Sequence, residues 1–221
     1  MNIMKPFAAA LALLACATAH ADFSMFPDGS KVDRWFNDTS APDPAKLGKR
    51  FVVTDYGVTA DSTLLQTEAI QKVIDTAAEE GGGVVVIPRG TFLSGSLFFR
   101  PSTHLHIEKG GRLKGSDAIT NYKIVPTRLE GQTLDYFAAL INADHCDGFS
   151  ITGEGTIDGN GHRFYDEFWL RRKVNPKCTN LEALRPRMAF ISNSKDVTVS
   201  GIHMVNSGFW TNHLYRCERV K

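Results

Sequence analysis

Hydrophobic and polar residues alternate in short runs along most of the chain, and one segment has the spacing of a helix. Within residues 63–80 apolar side chains recur at helical intervals, and the segment stops at three consecutive glycines, 81–83. The apolar run 84–87, which ends before Pro88, predicts a buried strand, and residues 51–53 predict another. After Pro88 short β-type runs lie between Gly, Asn, Asp and Ser turns, so no second helix of comparable length is expected.

A unit of about 20 to 25 residues repeats in the second half of the chain, a period typical of solenoids. Residues 149–153 resemble residues 197–201, and each segment follows an apolar pair, at 140–142 and at 190–192. A third copy starts at His213, twenty-three positions after Phe190. Similar segments in the same order favour a β-solenoid, in which each coil stacks its backbone on the next.

An earlier and more degenerate coil fits residues 104–107 and 112–113. The 19 glycines of the chain suit the corners of such coils, since glycine tolerates positive φ. A β-sandwich is the competing fold, but two-residue Asn-Gly hairpin turns are scarce. His104, His106 and His203 alternate with apolar residues, which places them on outer strand faces without metal-ligand spacing. We therefore assign no metal and no cofactor.

The N-terminus has the form of a secretory signal peptide over residues 1–21. A short basic region precedes an apolar run at 7–14, and a small-x-small cleavage site follows at 19–21. The apolar run is shorter than the roughly 20 residues that a membrane-spanning helix needs. The sequence thus predicts export to the periplasm or the extracellular space. The alternative is a lipoprotein anchored at Cys16, because residues 13–16 resemble a lipoprotein box.

Composition indicates a folded protein without a strongly charged surface. The 221 residues are 43% hydrophobic and 22% charged, which predicts a packed core. The formal net charge is +1, and loss of Lys5 with the signal peptide makes the product formally neutral. No nucleic acid partner is expected, because a basic surface dominates that affinity. Of three remaining cysteines, Cys146 and Cys217 are expected as buried thiols, and Cys178, in a polar loop, is the preferred member of any disulfide.

Several segments together carry a resemblance to a known family. In chain order they are residues 55–57, 67–75, 81–92, 105–110 and 153–161, then Arg185-Pro186-Arg187 and residues 206–213. Their order and spacing resemble those of the corresponding segments in the pectin-degrading glycoside hydrolases of the polygalacturonase-like family 28. The resemblance covers about residues 50–221. It implies an all-β, right-handed parallel β-helix with an N-terminal capping α-helix at 51–221. Residues 22–50 are rich in Pro, Asp and Lys with little periodicity, so we expect an irregular arm ahead of it.

The resemblance also implies hydrolysis of galacturonosyl linkages in pectic polysaccharide, with inversion. Inversion needs one carboxylic acid for the leaving oxygen and a second carboxylate for the attacking water. The family places these aspartates in Asn-Thr-Asp and Asp-Asp motifs, which this sequence does not contain. The third repeat stops in the middle of an expected strand. We therefore expect an N-terminal portion of a longer enzyme, monomeric when full length, with its catalytic residues beyond Lys221 and no activity in this chain alone.

Three residues are candidates for contact with substrate. Trp210 offers a flat apolar face to a sugar, although Trp is as often a core residue, and His213 lies three positions further on. Arg187 can pair with a galacturonate carboxylate, although a surface salt bridge is an equal alternative. Two other functions remain open: a non-catalytic carbohydrate-binding β-helix, and a pectate-lyase-type lyase, which the absence of an acidic cluster for calcium disfavours. Asp158, among glycines, is expected to cap a turn.

Overall fold

The computed structural model describes residues 24–221, so the predicted signal peptide and Cys16 lie outside the described residues. The chain divides at Ser40 into two compact units. The described part of the first unit, residues 24–39, contains the short helix α1 (Arg34–Asn37), which has no buried residue. The second unit contains all the β-strands and the longer helices.

Short strands account for most of the regular structure in the described residues. In chain order they are β1 (Arg50–Val52), β2 (Gly83–Ile87), β3 (Gly90–Ser94), β4 (Leu97–Phe99), β5 (Thr103–Ile107), β6 (Gly111–Gly115), β7 (Ile124–Leu129), β8 (Gln132–Phe137), β9 (Ile141–Asp144), β10 (Ser150–Gly153), β11 (Thr156–Asp158), β12 (Ala189–Ser192), β13 (Thr198–Ser200), β14 (His203–Val205) and β15 (Asn212–Tyr215). Single 3₁₀ turns lie at Pro44–Lys46, Val53–Tyr56 and Ile119–Asn121.

The strands wind into coils whose three sides form three parallel sheets. Sheet 1 has the order β1-β2-β5-β10-β13, sheet 2 the order β14-β11-β6-β3, and sheet 3 the order β15-β12-β9-β4. All pairs within these sheets are parallel, which excludes the hairpin-based sandwich. The repeat read from the sequence is confirmed by the register, because Ser150 lies opposite Thr198 and Phe190 opposite His213.

The core consists of apolar side chains that stack from coil to coil inside the three sheets. In sheet 1, Val85, Leu105 and Ile151 are in register and fully buried, at 1% exposure or less. Corresponding columns in sheets 2 and 3 contain Leu113 and Ile141. Burying each such side chain contributes about 1.5 to 3 kcal/mol, so a coil is stable only when its neighbours cover it.

Helix α2 (Thr67–Glu79) covers the start of the coil stack. Its buried residues are Ile70, Val73, Ile74 and Ala77, the stripe that the helical spacing predicted. The Gln71 side-chain amide accepts from the Phe98 N–H at 2.7 Å and donates to the Phe98 carbonyl at 2.8 Å. Phe98 lies on β4, the edge strand of sheet 3. Gln71 therefore supplies the hydrogen bonds that a further strand would make, and it closes this edge.

A second helix of the same length, α3 (His162–Val174), contradicts the expectation of a single long helix. The spacing of its apolar residues gave no sign of it, because only Phe164 and Phe168 are buried. Both α3 and the antiparallel hairpin β7–β8 are inserted between a strand of sheet 2 and the next strand of sheet 3. The two insertions therefore emerge on the same side of the coil stack, beside sheet 3.

Asp158 and the three described cysteines can be compared with what the sequence predicts for them. Asp158 caps a turn, as predicted, by accepting the Asn160 N–H at 2.9 Å, and it also pairs with Arg112 at 2.6 Å. Cys146 is buried against the core, as predicted. Cys217 packs against the core but is half-buried. Cys178, the preferred member of any disulfide, is a free and buried thiol in the described chain, and the expected bridge would need a partner outside it.

Candidate functional site

A groove with a cavity volume of about 530 Å³ runs over the outer face of sheet 3. Its floor is built by side chains from four neighbouring strands, and the hairpin β7–β8 forms one wall. Along β12 the buried Ala189 and Ile191 point into the core, so the alternate residues Phe190 and Ser192 point outward to the groove. The groove therefore follows directly from strand alternation on one side of the coil.

The floor contains two rows of outward side chains that the register brings together. One row consists of Phe98, Asn142 and Phe190 from successive coils, and His213 on β15 continues this row beyond the residues that line the cavity. The second row consists of Asp144, Ser192 and Tyr215. The first row is largely aromatic and the second is polar, so the floor offers both ring faces and hydrogen-bonding groups to a ligand.

Asn142 is a structural member of the floor, at 7% exposure. Its side-chain oxygen accepts the Ala139 N–H at 2.9 Å. Its amide nitrogen donates to the carbonyls of Leu97, at 3.0 Å, and Ala139, at 2.7 Å. Three backbone groups, two of Ala139 just before β9 and one of Leu97 on β4, thus depend on one side chain for their hydrogen bonds.

Asp144 is the carboxylate of the groove and is held ionised by its neighbours. Ser192 and Asn193 donate to Oδ1 at 2.6 and 2.8 Å, and the His145 ring lies 2.8 Å from Oδ2. Burial by itself raises the pKa of Asp144, but the hydrogen bonds from Ser192, Asn193 and His145 outweigh it and lower the pKa below its ordinary value. At neutral pH the Asp144 carboxylate therefore places a fixed negative charge in the groove.

We expect Ser192→Ala to raise the pKa of Asp144, because it removes the shortest hydrogen bond to the carboxylate. The measurement is a carboxyl ¹³C NMR titration, with Ser200→Ala on β13 as the matched change away from the groove. Since the folded-state pKa is lowered, the stabilisation is complete above the pKa of an unfolded Asp and disappears as the pH falls through the folded-state value. Equal titration curves for Asp144 in both variants would contradict this assignment.

Two arginines supply positive charge around the groove. Arg100 lines it at the β4 end and pairs with Asp75 at 2.9 Å. Arg128 extends from the hairpin, with its guanidinium 5.8 Å from the Tyr215 ring centroid. Because Asp75 already pairs with Arg100, Arg128 is the groove cation that faces an acidic ligand without a carboxylate partner among the described ion pairs.

The three candidate residues from the sequence lie close together beside this floor, where His213 contacts Phe190. Arg187 donates from Nη1 to His213 Nδ1 at 2.9 Å, and the Trp210 ring stands perpendicular to the His213 ring at a centroid distance of 4.6 Å. His213 and Trp210 are half-buried. Arg187 has no exposed surface, so burial does not support its direct pairing with a sugar carboxylate.

Trp210 is held by a stack that reaches α3. Its ring lies parallel to Phe209 at 5.0 Å, and the Arg185 guanidinium lies 4.3 Å from the Phe209 ring and 4.0 Å from the Phe168 ring. Alternating aromatic rings and a cation stabilise one another in this geometry. Burial lowers the pKa of Arg185, although the group stays charged at neutral pH. Helix α3 therefore fixes the position of Trp210.

Sequence reasoning did not identify Asn142, Asp144, Phe190 and Arg128 as groove residues. The signal for the first three was present, since they occupy outward positions of strands that the repeat had already aligned. No comparable signal existed for Arg128, because the hairpin is an insertion outside the repeat.

Within residues 24–221 no group of three or more His, Cys, Asp or Glu side chains is placed to hold a metal ion. No described helix has the length and hydropathy needed to cross a bilayer.

The coiled architecture with a groove along one sheet defines a parallel β-helix protein, and comparison with known families agrees. The profile of the rhamnogalacturonase A/epimerase, pectate lyase-like family matches residues 51–116. The profile of glycosyl hydrolases family 28 matches residues 85–221, more than half of the chain, and the chain belongs to this family.

Individual relatives are similar to this chain over part of their length. An exopolygalacturonase of Zea mays is 28% identical over 192 residues, which is 86% of this chain and 42% of the relative. The plasmin and fibronectin-binding protein A of Streptococcus pneumoniae is 31% identical over 70% of this chain and 20% of its own length. The exopolygalacturonase of Thermotoga maritima superposes with a TM-score of 0.67 at 23% identity, over 85% of this chain and 48% of its own. The predicted right-handed parallel β-helix is thereby confirmed, and the chain spans less than half the length of these three relatives.

Proposed function

We propose that this chain forms the coils and part of the substrate groove of a pectin-degrading glycoside hydrolase that cleaves galacturonosyl linkages. The observation that carries the proposal is the family 28 match, because residues 85–221 include every strand of sheet 3. The charge of the groove supports it. Arg128 suits the carboxylates of a galacturonan, and the aromatic side chains of the floor suit the apolar faces of sugar rings.

The reaction class follows from the resemblance and needs two carboxylates on opposite sides of the scissile bond. These carboxylates are proposed to lie beyond Lys221, so we assign binding, and no step of bond cleavage, to the residues described above. Trp210 and His213 are proposed to contact the sugar. Arg187 is proposed to act on substrate through His213, because it is buried beneath that ring. No metal or cofactor forms part of this proposal.

The cellular setting is also a proposal. Residues 1–21 are proposed to direct export to the periplasm or the extracellular space, where pectic polysaccharide of the cell wall is accessible, with lipid anchoring at Cys16 as the alternative. Residues 22–50 are proposed as an arm ahead of the β-helix, which starts at residue 51. The full-length protein is proposed to be a monomer that does not bind nucleic acid.

Measuring the binding of an acidic oligosaccharide to this chain tests the proposed role of the groove. We expect trigalacturonate to bind in isothermal titration calorimetry more tightly than a neutral galactose trisaccharide, and Arg128→Glu to weaken this binding by about tenfold or more, because it replaces a groove cation by an anion. Arg163→Glu makes the same change on an exposed part of α3 outside the cavity lining and serves as the control. Equal affinity for the neutral trisaccharide, or equal losses in both variants, would contradict the proposal.

A non-catalytic carbohydrate-binding or adhesive β-helix is the second candidate. The observation that favours it is the 31% identity to the streptococcal plasmin and fibronectin-binding protein. Incubating the full-length gene product with polygalacturonate separates the candidates. New reducing ends without ultraviolet absorbance select the hydrolase, binding without new ends selects the adhesive protein, and unsaturated ends that absorb in the ultraviolet select a lyase.

A further inference from the structure

Arg187 is a fully buried cation whose hydrogen-bond acceptors are all neutral. It donates to the Arg128 carbonyl at 3.0 Å, the Thr127 hydroxyl at 2.9 Å and the Phe137 carbonyl at 3.5 Å, besides His213. Three of these four contacts are to the hairpin β7–β8. A buried charge normally has a counter-ion, and this one lies directly below the end of a groove. The guanidinium also lies 4.3 Å from the ring centroid of Phe190, which lines the groove. The buried charge therefore acts on a ligand through the groups that it contacts, and His213 is one of them.

The contact with Arg187 determines which nitrogen of His213 carries the proton. Arginine only donates hydrogen bonds, so His213 Nδ1 has to accept, and a neutral ring then carries its hydrogen on Nε2. Burial first, and the Arg187 charge second, lower the pKa of His213 to about 4. The ring is therefore neutral at pH 7, and Nε2–H is a donor whose polarity is increased by the cation on the opposite side of the ring.

The surroundings of His213 hold this donor in one place. Trp210 stands perpendicular to the ring at 4.6 Å, and Phe190 lies on another side at a centroid distance of 4.7 Å. Phe190 is also part of the groove floor, and His213 follows it in the same outward row. A donor that is oriented before binding loses little entropy when a ligand arrives.

We propose that His213 Nε2–H, oriented and polarised by Arg187, is a binding position for a carboxylate at the end of the groove next to Trp210. The ligand class is a uronate whose carboxylate accepts from Nε2–H while its sugar ring lies beside Trp210. Arg187 is a positioning residue that acts through His213. This inference rests on the proposed function for the choice of a uronate, whereas the carboxylate site itself rests on the geometry of Arg187 and His213.

NMR on the chain labelled with ¹⁵N-histidine tests the donor directly. We expect the His213 ring to show the Nε2–H tautomer from pH 5 to 8 without titrating, since its pKa is about 4, with the signal assigned by its loss in His213→Gln. Acetate, galacturonate and galactose are then added separately. Acetate and galacturonate are expected to shift the Nε2 resonance downfield, and galactose is expected to leave it unchanged. An Nδ1–H tautomer, or identical shifts with galactose, would overturn the proposal.

Binding measurements on variants add a readout that a merely structural role would not change. His213→Phe keeps a ring between Trp210 and Phe190 but removes the donor, so trigalacturonate affinity is expected to fall about tenfold. His213→Gln keeps an N–H near the position of Nε2 and is expected to retain affinity within about threefold. Arg187→Lys keeps the charge and is expected to preserve the tautomer. If His213→Phe fails to fold, the resonance shifts of the unsubstituted chain still decide the question.

The two proposals fail in different ways. If trigalacturonate binds but His213→Phe binds it equally well, the carboxylate position is wrong and the groove function stands. If acetate shifts the Nε2 resonance but trigalacturonate does not bind, the carboxylate position stands and the pectic substrate is wrong. A uronate is distinguished from a simple carboxylate by galacturonate binding more tightly than acetate, which equal affinities would contradict.

Discussion

Replacing Gly153 with alanine is expected to destabilise the chain by about 4 kcal/mol or more, the size of effect that strain at a special backbone conformation and overpacking produce together. Gly153 ends β10 with φ at +118°, where an L side chain is strained. An added Cβ would lie 2.0 Å from the Ile107 carbonyl oxygen. Ile107 is fully buried on β5, the neighbouring strand, so relief requires the spacing of two coils to change.

Gly148→Ala is the matched control for this substitution. Gly148 also has a positive φ, +75°, but an added Cβ would meet no atom within 4 Å. Its expected cost is therefore only that of the left-handed conformation, about 1 to 2 kcal/mol. Urea denaturation followed by circular dichroism measures both. Equal changes in the free energy of unfolding would show that close coil contact at Gly153 contributes nothing.

Asn142→Leu is expected to destabilise the chain by about 3 kcal/mol, although leucine is of similar size and the position is buried. The amide satisfies two carbonyls and one N–H of the backbone, and leucine would leave all three without that partner. Each buried polar group left unsatisfied costs about 1 to 3 kcal/mol, and burial of leucine offsets part of the loss.

Asn212→Leu places the same change on β15 of the same sheet, at an exposed residue, and is expected to alter the free energy of unfolding by no more than about 0.5 kcal/mol. Thermal and urea unfolding of the two variants provide the comparison. A value for Asn142→Leu as small as for the control would mean that the Ala139 and Leu97 groups find other partners at no cost.

The coil architecture was predictable because its determinants are local and repeat. Leu105 and Ile151 alternate with outward residues in the same way in successive coils. Because side chains of a strand point alternately to its two faces, the apolar positions identify the face that lies inside the coil. The second long helix was not predictable in this way. Only Phe164 and Phe168 of α3 are buried, four residues apart, so most of the helix lacks the apolar stripe on which a sequence prediction depends.

The site was only partly predictable, for a different reason. Trp210 and His213 are three residues apart, Arg187 lies 26 residues before His213, and their side-chain types suggested carbohydrate contact. The burial of Arg187 depends on Thr127 and Phe137, whose hairpin lies about fifty to sixty residues earlier in the chain. Periodicity contains no information about which inserted segment covers which strand. Only the structure therefore shows that Arg187 is buried and that His213 is the residue of the pair with exposed surface.

The position of the two insertions has a consequence for how this groove can change. The hydrogen-bond ladder of sheet 3 passes from β9 to β12 in continuous register, although about 45 residues, including α3, separate the two strands. The floor therefore advances by about 4.8 Å per coil, whatever the inserted segments contain. The number of coils sets the length of the groove, whereas the hairpin β7–β8 sets the depth and charge of its wall. Mutations in the inserted hairpin can therefore change ligand selectivity during evolution, while the stacked coils with their apolar core keep their stability.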